Sequence, residues 1–205
     1  MNTLDYIFNR WKLDKSEKYI YMPNSRQGTL TRLFRSLNFN LGCEVGVERA
    51  WFSKALCQAN PNLKLYGVDP WMFYEGYRDH VTQDRLDGFY RETKERMKSF
   101  DYHIIRDLSS YAVNQFKDGE LDFVYLDARH DYDSVKEDIA LWHPKVRKDG
   151  IVSGHDYLDK VDDKRLDKPI YGIKKAVDEW VESNNIEHLF ILSKDSSPSY
   201  FYVKS

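Results

Sequence analysis

The sequence predicts an α/β fold with a mostly parallel β-sheet, and three stretches of the chain support this prediction. Residues 41–71 show the pattern of a strand, a tight turn, a helix and a second strand, which is the order of a nucleotide-binding βαβ unit. Residues 121–126 are almost continuously apolar, as a parallel strand buried on both faces should be. Residues 189–192 and 200–203 flank a turn that contains Pro198, and they predict a closing β-hairpin.

Length and composition predict one domain and disfavour several classes of partner. The chain has 205 residues, of which 41% are hydrophobic, enough for a single domain over 1–205 with accessory helices over 1–38 and a core over 41–205. The formal net charge is −2, so no broad basic surface for nucleic acid is expected. Two cysteines, no apolar run of about 18 residues and no signal-peptide pattern predict a soluble cytoplasmic protein with reduced thiols.

Two helices are predicted ahead of the first core strand. Apolar side chains recur at helical spacing within residues 4–11 and again within 30–37. Ser25 lies in the turn 22–25 and suits the N-cap of the second helix. Arg26, in the first turn of that helix, has the length to reach a carboxylate or phosphate, but we expect a solvated surface arginine.

Two charged segments are predicted to lie over the ligand edge of the sheet. The segment 72–100, dense in aromatic and charged residues, follows the strand that ends at Asp69, so it is a candidate lid or substrate wall. Its second half predicts a helix, for which packing on the sheet with a solvated face is the alternative. The segment 159–168, DKVDDKRLDK, holds four acids and four bases and predicts a mobile loop that could cover the site.

The first tight turn has the chemistry of a nucleotide-binding turn. Gly46 permits a turn that a side chain would obstruct, and it lets backbone N–H groups approach a ligand. Asp69 follows Gly46 by about 23 residues, near the ~20-residue spacing at which a strand-end carboxylate accepts hydrogen bonds from ribose hydroxyls. The dinucleotide fingerprint GxGxxG is absent, which disfavours a nicotinamide or flavin cofactor.

Residues 44–53, EVGVERAWFS, resemble motif I of the class I S-adenosylmethionine-dependent methyltransferases, and residues 66–71, YGVDPW, resemble their second motif. Glu48 and Ala50 stand where that family often has glycine. The resemblance implies a Rossmann-like, seven-stranded, mostly parallel sheet with an antiparallel last strand and helices on both faces. It also implies an enzyme that uses S-adenosylmethionine as the methyl donor.

The resemblance further implies a set of residues that hold the cofactor. The ribose diol suits Asp69, the adenine amine suits Asp107 at the end of the next strand, and the amino-acid end suits the motif I turn and Glu44. Asp127 is ambiguous, because it could face either the amino-acid end or the acceptor. The expected cofactor-binding residues are Glu44, Gly46, Val47, Ser53, Asp69, Trp71, Asp107, Leu108 and Asp127. As an alternative, Asp107 or Ser109 merely caps the next helix.

Polar residues also follow the next two parallel strands. Asp127 and His130 come after the fourth core strand, and His155 and Asp156 come after the fifth. Because the carboxyl ends of neighbouring parallel strands share one edge of a sheet, these four side chains are expected to converge. The pattern Asp-x-x-His-x-Tyr followed by His-Asp-Tyr resembles sugar and small-molecule O-methyltransferases related to macrocin O-methyltransferase, and cephalosporin-hydroxylase-like proteins. This resemblance implies O-methylation of a hydroxyl on a sugar or natural product.

The chemistry at this edge has two interpretations. In the first, Asp127, His155 and Asp156 bind a divalent metal, magnesium or manganese, that orients the acceptor hydroxyl and lowers its pKa. This set resembles the ligands of metal-dependent O-methyltransferases, except that His155 stands where an acid is usual, and imidazole suits manganese, iron or zinc better than magnesium. In the second, His130 or His155 is the general base beside an orienting aspartate, so that the catalytic residues are His130, His155 and Asp127. The structural alternative is that His130 caps its helix and His155 bonds the backbone.

Two other functions remain open. A nucleic-acid or protein methyltransferase would share the cofactor motifs, although the lack of a basic excess and of an Asn-Pro-Pro-Tyr-type motif argues against base methylation. A non-catalytic cofactor-binding scaffold would need Glu44, Gly46 and Asp69 but not the two histidines. The expected partner is a small-molecule acceptor, with no nucleic acid and no membrane, and a homodimer is compatible with the sequence.

Overall fold

The computed structural model describes residues 2–73, 82–161 and 170–205. Its strands are, in chain order, β1 (Tyr19–Met22), β2 (Leu41–Val45), β3 (Lys64–Val68), β4 (Tyr102–Ile105), β5 (Leu121–Leu126), β6 (Val146–Gly154), β7 (Lys160–Val161), β8 (Ile170–Tyr171), β9 (Leu189–Leu192) and β10 (Ser199–Val203). Within the described residues, β7 and β8 pair with each other, and the other eight strands form one sheet in the order β1-β9-β10-β6-β5-β2-β3-β4.

The direction of the strands follows the predicted pattern. Neighbouring strands of the sheet are parallel except for β10, which runs antiparallel to both β6 and β9. The order of the strands reverses between β2 and β5, so the carboxyl ends of these two strands form the switch point at which such sheets bind ligands. The predicted α/β class and the antiparallel last strand are confirmed.

Helices cover both faces of the sheet. In the described part of the chain they are α1 (Thr3–Trp11), α2 (Arg26–Ser36), α3 (Trp51–Ala59), α4 (Gln83–Met97), α5 (Ser109–Ala112), α6 (Tyr132–Trp142) and α7 (Ile173–Ser183), with 3₁₀ turns at Val113–Gln115 and His143–Lys145. Side chains alternate along β5, so Phe123 and Tyr125 pack in the core that contains α1 to α4. Val124 and Leu126 pack in the core of α5 to α7 on the opposite face.

Strand β1 departs from the predicted fold. The prediction placed only helices within residues 1–38 and seven strands in the sheet. Helix α1 ends at Trp11, and β1 adds an eighth strand that pairs in parallel with β9, with Tyr19 opposite Leu189. A strand of four residues whose partner lies near the far end of the chain leaves little local pattern, because its stability comes from non-local pairing.

The start of α2 and the helix after Asp69 agree with the sequence pattern. Ser25 caps α2 as predicted, since its hydroxyl accepts a hydrogen bond from the Gly28 N–H at 3.2 Å. Helix α4 confirms the helix predicted in the second half of the segment 72–100. Residues 74–81 of that segment, and residues 162–168 of the predicted mobile loop, lie outside the described residues.

Both cysteines are buried free thiols, in agreement with the prediction of reduced cysteines. Burial raises the pKa of both the Cys43 and the Cys57 thiol, so neither is poised to react as a thiolate. In the part of the chain that the structure describes, no helix combines the length and the apolar character needed to cross a membrane.

Candidate active site

The carboxyl ends of four neighbouring strands bring the predicted site residues to one edge of the sheet. Val45, at the end of β2, is in register with Val68 of β3 and with Leu126 of β5. Leu126 is in turn in register with Gly154 of β6. The residues that follow these four strand ends are Gly46, Asp69, Asp127 and His155. They therefore leave the sheet at the same level.

The turn after β2 is shaped by three residues with left-handed backbone angles. The φ angle is 89° at Gly46, 50° at Glu48 and 54° at Ala50. These are the alternate positions at which the resembled family often has glycine, so the backbone shape is retained although two of the glycines are not. Unlike positions 48 and 50, position 46 cannot carry a side chain, because a Cβ atom there would lie 2.0 Å from the Asp127 carbonyl oxygen.

Asp69 holds this turn from the end of β3. Its Oδ2 accepts hydrogen bonds from the N–H groups of Val47 and Glu48, at 3.0 and 2.9 Å. Its Oδ1 accepts one from the Trp71 N–H at 2.8 Å. Burial raises the pKa of Asp69, and the three N–H donors oppose that shift. Because one described donor reaches Oδ1 and two reach Oδ2, Oδ1 has further accepting capacity.

Three residues predicted to bind the cofactor lie beneath this turn. Glu44, Ser53 and Trp71 are 3%, 0% and 1% exposed. The Ser53 hydroxyl donates to the Glu44 carboxyl and lies 3.2 Å from the Tyr102 hydroxyl. The Trp71 indole N–H donates to the Glu48 carbonyl at 2.7 Å. Burial raises the pKa of Glu44 to about 8, so its carboxyl holds a proton at neutral pH. All three side chains support the turn from the protein interior.

Asp127, His130 and Asp156 form a compact cluster beyond the ends of β5 and β6. Each residue offers one atom that could bind a metal ion, and these three atoms lie within 4.8 Å of one another. The His130 ring stands between the two carboxylates, with Nε2 3.4 Å from Asp127 Oδ1 and Nδ1 3.4 Å from Asp156 Oδ2. The predicted metal-binding set was Asp127, His155 and Asp156, and this group contains His130 where that set has His155.

His155 contacts the same two carboxylates from the side of β6. Its Nδ1 lies 2.8 Å from Asp156 Oδ1 and 3.8 Å from Asp127 Oδ1. A φ angle of 54° at Asp156 turns the chain, which allows two adjacent residues to point into one site. Burial by itself would raise the pKa of Asp156, but the hydrogen bond to His155 and the charge of His130 bring the pKa well below its ordinary value. Asp156 is therefore an ionised carboxylate.

The structural alternatives for the two histidines are wrong. Helix α6 is capped by Asp131, whose side chain accepts from the Ser134 N–H at 3.1 Å, so His130 does not cap it. Within the part of the chain that the structure describes, the imidazole of His155 contacts the carboxylates of Asp127 and Asp156 and bonds to no backbone group.

Arg26 is a site residue that sequence reasoning placed in solvent. Its Nη1 donates to the Tyr125 hydroxyl at 2.8 Å and lies 3.2 Å from Asp127 Oδ2. The guanidinium carbon also lies 4.9 Å from the centre of the Phe52 ring. In the sequence, only the length of the Arg26 side chain, which can reach a carboxylate, indicated a place in the site. Its partners could not be predicted, because α2 and β5 are far apart in the chain.

Asp107 and Leu108 follow β4, at the outer edge of the same end of the sheet. Asp107 Oδ1 accepts from the Leu108 N–H at 2.8 Å. Helix α5 begins at Ser109 and has no side-chain cap, so the alternative that Asp107 or Ser109 caps this helix is wrong. The Ser109 hydroxyl instead donates to the buried Asp138 of α6.

The loop between β9 and β10 joins two parts of the site. Asp195 Oδ2 accepts from the Arg26 N–H at 2.7 Å, at the start of α2. The Ser197 hydroxyl donates to Asp156, in the turn after β6. The loop thus holds α2 and the His155–Asp156 turn together, a role that the sequence pattern of a closing hairpin did not indicate.

Comparisons with known proteins agree with this architecture. A family model described as a methyltransferase domain matches residues 39–157. A curated relative, the uncharacterized protein y4gI of Sinorhizobium fredii, is 25% identical over 123 residues, which are 57% of this chain and 12% of the relative. This chain therefore spans only a small part of that relative's length.

Two solved structures share the fold. The O-methyltransferase from Bacillus cereus in complex with SAH is 11% identical, with a TM-score of 0.61, over 98% of this chain and 89% of that one. The O-methyltransferase TomG from Streptomyces achromogenes, involved in tomaymycin synthesis and solved with SAM, is 13% identical, with a TM-score of 0.58, over 98% and 87%.

The strand order, the antiparallel β10 and the glycine turn at the switch point define a class I methyltransferase fold. The chain belongs to the methyltransferase-domain family, whose model matches more than half of its length. The predicted fold class and family are confirmed.

Proposed function

We propose that this chain transfers a methyl group from S-adenosylmethionine to a hydroxyl oxygen of a small molecule, on a sugar or natural product. The observation that carries the proposal is the cluster of Asp127, His130 and Asp156 beside the Gly46 turn. A cluster of two carboxylates and an imidazole is suited to activate a hydroxyl, and the turn is suited to hold the cofactor. The two similar structures support the proposal, since both are O-methyltransferases and contain SAM or SAH.

We assign the cofactor to the part of the sheet edge that lies next to the Gly46 turn. The spare accepting capacity of Asp69 Oδ1 suits a ribose hydroxyl. The backbone at Gly46 and Val47, with Asp127 across from it, suits the amino-acid end. Asp107 and Leu108 suit the adenine, because β4 neighbours β3 in the sheet. Glu44, Ser53 and Trp71 contribute by holding the turn from beneath.

A divalent metal fits the cluster by the chemistry of its donor atoms. Asp127, His130 and Asp156 offer two carboxylates and one imidazole within 4.8 Å, and the low pKa of Asp156 keeps that ligand ionised. Manganese suits this mixed set better than magnesium. When bound, such an ion lowers the pKa of the acceptor hydroxyl. His155 orients Asp156 through their 2.8 Å contact.

A second version, without a metal, assigns the proton to His130. Its ring lies 3.4 Å from a carboxylate on each side, so the imidazolium formed by proton transfer is stabilised. The acceptor oxygen then attacks the methyl carbon in line. The O–C bond forms, the C–S bond breaks with its electron pair left on sulfur, and the hydroxyl proton passes to the neutral imidazole of His130, which becomes an imidazolium.

Methyl transfer to a panel of sugar and phenol hydroxyls, followed as S-adenosylhomocysteine formed, tests both versions. If a metal is used, a chelator abolishes turnover, manganese restores it, and S-adenosylmethionine binding measured by calorimetry is unchanged. If His130 is the base, turnover survives the chelator and is lost in His130→Ala. His103→Ala is the matched control, because His103 is an exposed histidine on β4 paired with Asp101 outside the cluster. Failure of the wild-type chain to bind S-adenosylmethionine would refute the proposal.

A further inference from the structure

We infer that a cavity between α1 and α2 is a second ligand site, which binds the phosphate groups and the base of a nucleotide. The cavity has a volume of about 230 Å³. None of the residues that line it belongs to the Asp127–His130–Asp156 cluster or to the turn at Gly46. The inference is therefore independent of the proposed methyl transfer.

Positive charge dominates the lining of this cavity. Arg10 of α1 and Arg32 and Arg35 of α2 line it, and none of the described residues that line it is acidic. Among the described residues, none of these three guanidinium groups has an ion-pair or hydrogen-bond partner. Like charges three residues apart on a helix repel, so Arg32 and Arg35 are not arranged for the stability of α2 alone. In a chain whose formal net charge is −2, such a local excess of positive charge favours an anionic ligand.

The type of cation points to phosphate. A guanidinium group is planar and presents its N–H donors as a fork that matches two phosphate oxygens, whereas a lysine offers only a point charge. Here all three cations that line the cavity are arginines, and they come from two different helices. Donors that approach from two sides suit a diphosphate better than a single carboxylate.

The remaining lining residues suit a base. Tyr6 and Trp11 of α1 contribute aromatic side chains, and Asn24 and Ser36 contribute polar ones. Trp11 is partly exposed, although it packs against the apolar core. Aromatic side chains stack on the face of any nucleobase. Amides and hydroxyls hydrogen-bond to base edges or ribose. A nucleoside diphosphate combines all these chemical features.

Calorimetric titration of the full chain with ADP tests the inference. Saturating S-adenosylhomocysteine is present throughout, so that the adenosine part of ADP does not occupy the proposed cofactor site. We expect ADP to bind the wild-type chain, and the double variant Arg32→Gln, Arg35→Gln to bind it at least tenfold more weakly. Arg91→Gln should bind ADP as the wild type does, because it removes an exposed arginine of α4 that does not line the cavity.

Three outcomes would overturn the inference: no binding of ADP to the wild-type chain, equal weakening by Arg91→Gln, or binding of inorganic pyrophosphate as tight as that of ADP. The last outcome would leave a site for phosphate without a base. Trp11→Leu separates the two parts of the ligand, since it should weaken ADP but not pyrophosphate. Affinity for S-adenosylhomocysteine, measured in each variant, shows that the variant is folded. A wild-type chain that binds ADP but no S-adenosylhomocysteine would refute the proposed function alone.

Discussion

A Cβ atom built on Gly46 would lie 2.0 Å from the carbonyl oxygen of Asp127. The turn proposed to hold the cofactor and the strand that carries the acceptor cluster are therefore packed backbone against backbone. Because main-chain atoms cannot move aside as a flexible side chain can, this contact fixes the distance between the two halves of the candidate site.

Replacing Gly46 by alanine should destabilise the fold by about 2–3 kcal/mol and abolish cofactor binding, since the methyl group meets backbone and the φ of 89° disfavours any side chain. Urea unfolding and calorimetry with S-adenosylhomocysteine measure the two effects. Gly88→Ala on α4 is the matched control, because the nearest atom to its Cβ is the Arg91 side chain at 3.9 Å. Equal loss in both variants would contradict this account.

Asp69→Ala removes the acceptor of three backbone N–H groups as well as the proposed ribose contact. We expect the affinity for S-adenosylhomocysteine to fall by about 1.5–3 kcal/mol, the scale of a lost charge-assisted hydrogen bond. Calorimetry measures the change, with the exposed Asp101→Ala as control. Unchanged affinity in a folded Asp69→Ala variant would remove Asp69 from the cofactor site.

The buried Glu44 carboxyl should make stability depend on pH. Its pKa is about 8 in the folded protein against an ordinary value of 4.5, so the folded state keeps a proton that the unfolded chain releases. The free energy of unfolding should therefore fall as the pH rises from about 4.5 to about 8, by at most ~1.4 kcal/mol per pH unit. Urea unfolding at several pH values measures the slope. Glu44→Gln should flatten it, and an unaltered slope would show that another group is responsible.

Arg26→Met keeps an unbranched apolar side chain but removes the guanidinium group that contacts Tyr125 and Asp127. Because Asp127 loses the group that holds its Oδ2, methyl transfer should fall by about tenfold or more. Turnover with saturating S-adenosylmethionine measures the effect. Arg91→Met is the control, because it removes an arginine of α4 that lies outside the site. Wild-type turnover in Arg26→Met would mean that the contact is incidental.

The parts of the structure that local chemistry determines were predictable. Strand β5 was predicted over its observed residues because it is buried on both faces, and Ser25 was predicted as a cap because its hydroxyl bonds within four residues. The positions of Gly46 and Asp69 followed from where strands stop.

The parts that were missed depend on contacts between distant segments. Strand β1 is stabilised by pairing with β9, and Arg26 finds Asp127 only after α2 packs on the sheet. Which histidine stands between the two carboxylates depends on the turn at Asp156, where a non-glycine residue takes a φ of 54°.

The β9–β10 loop has a consequence for how the protein is made. Asp195 and Ser197 hold the start of α2 and the Asp156 turn, and β10 itself lies between β6 and β9 in the sheet. A ribosome synthesises the chain from the amino end, so the glycine turn and the acceptor cluster emerge long before these partners. The nascent chain therefore carries an incomplete site with an open edge on β6 until residues 199–203 have left the exit tunnel and been inserted.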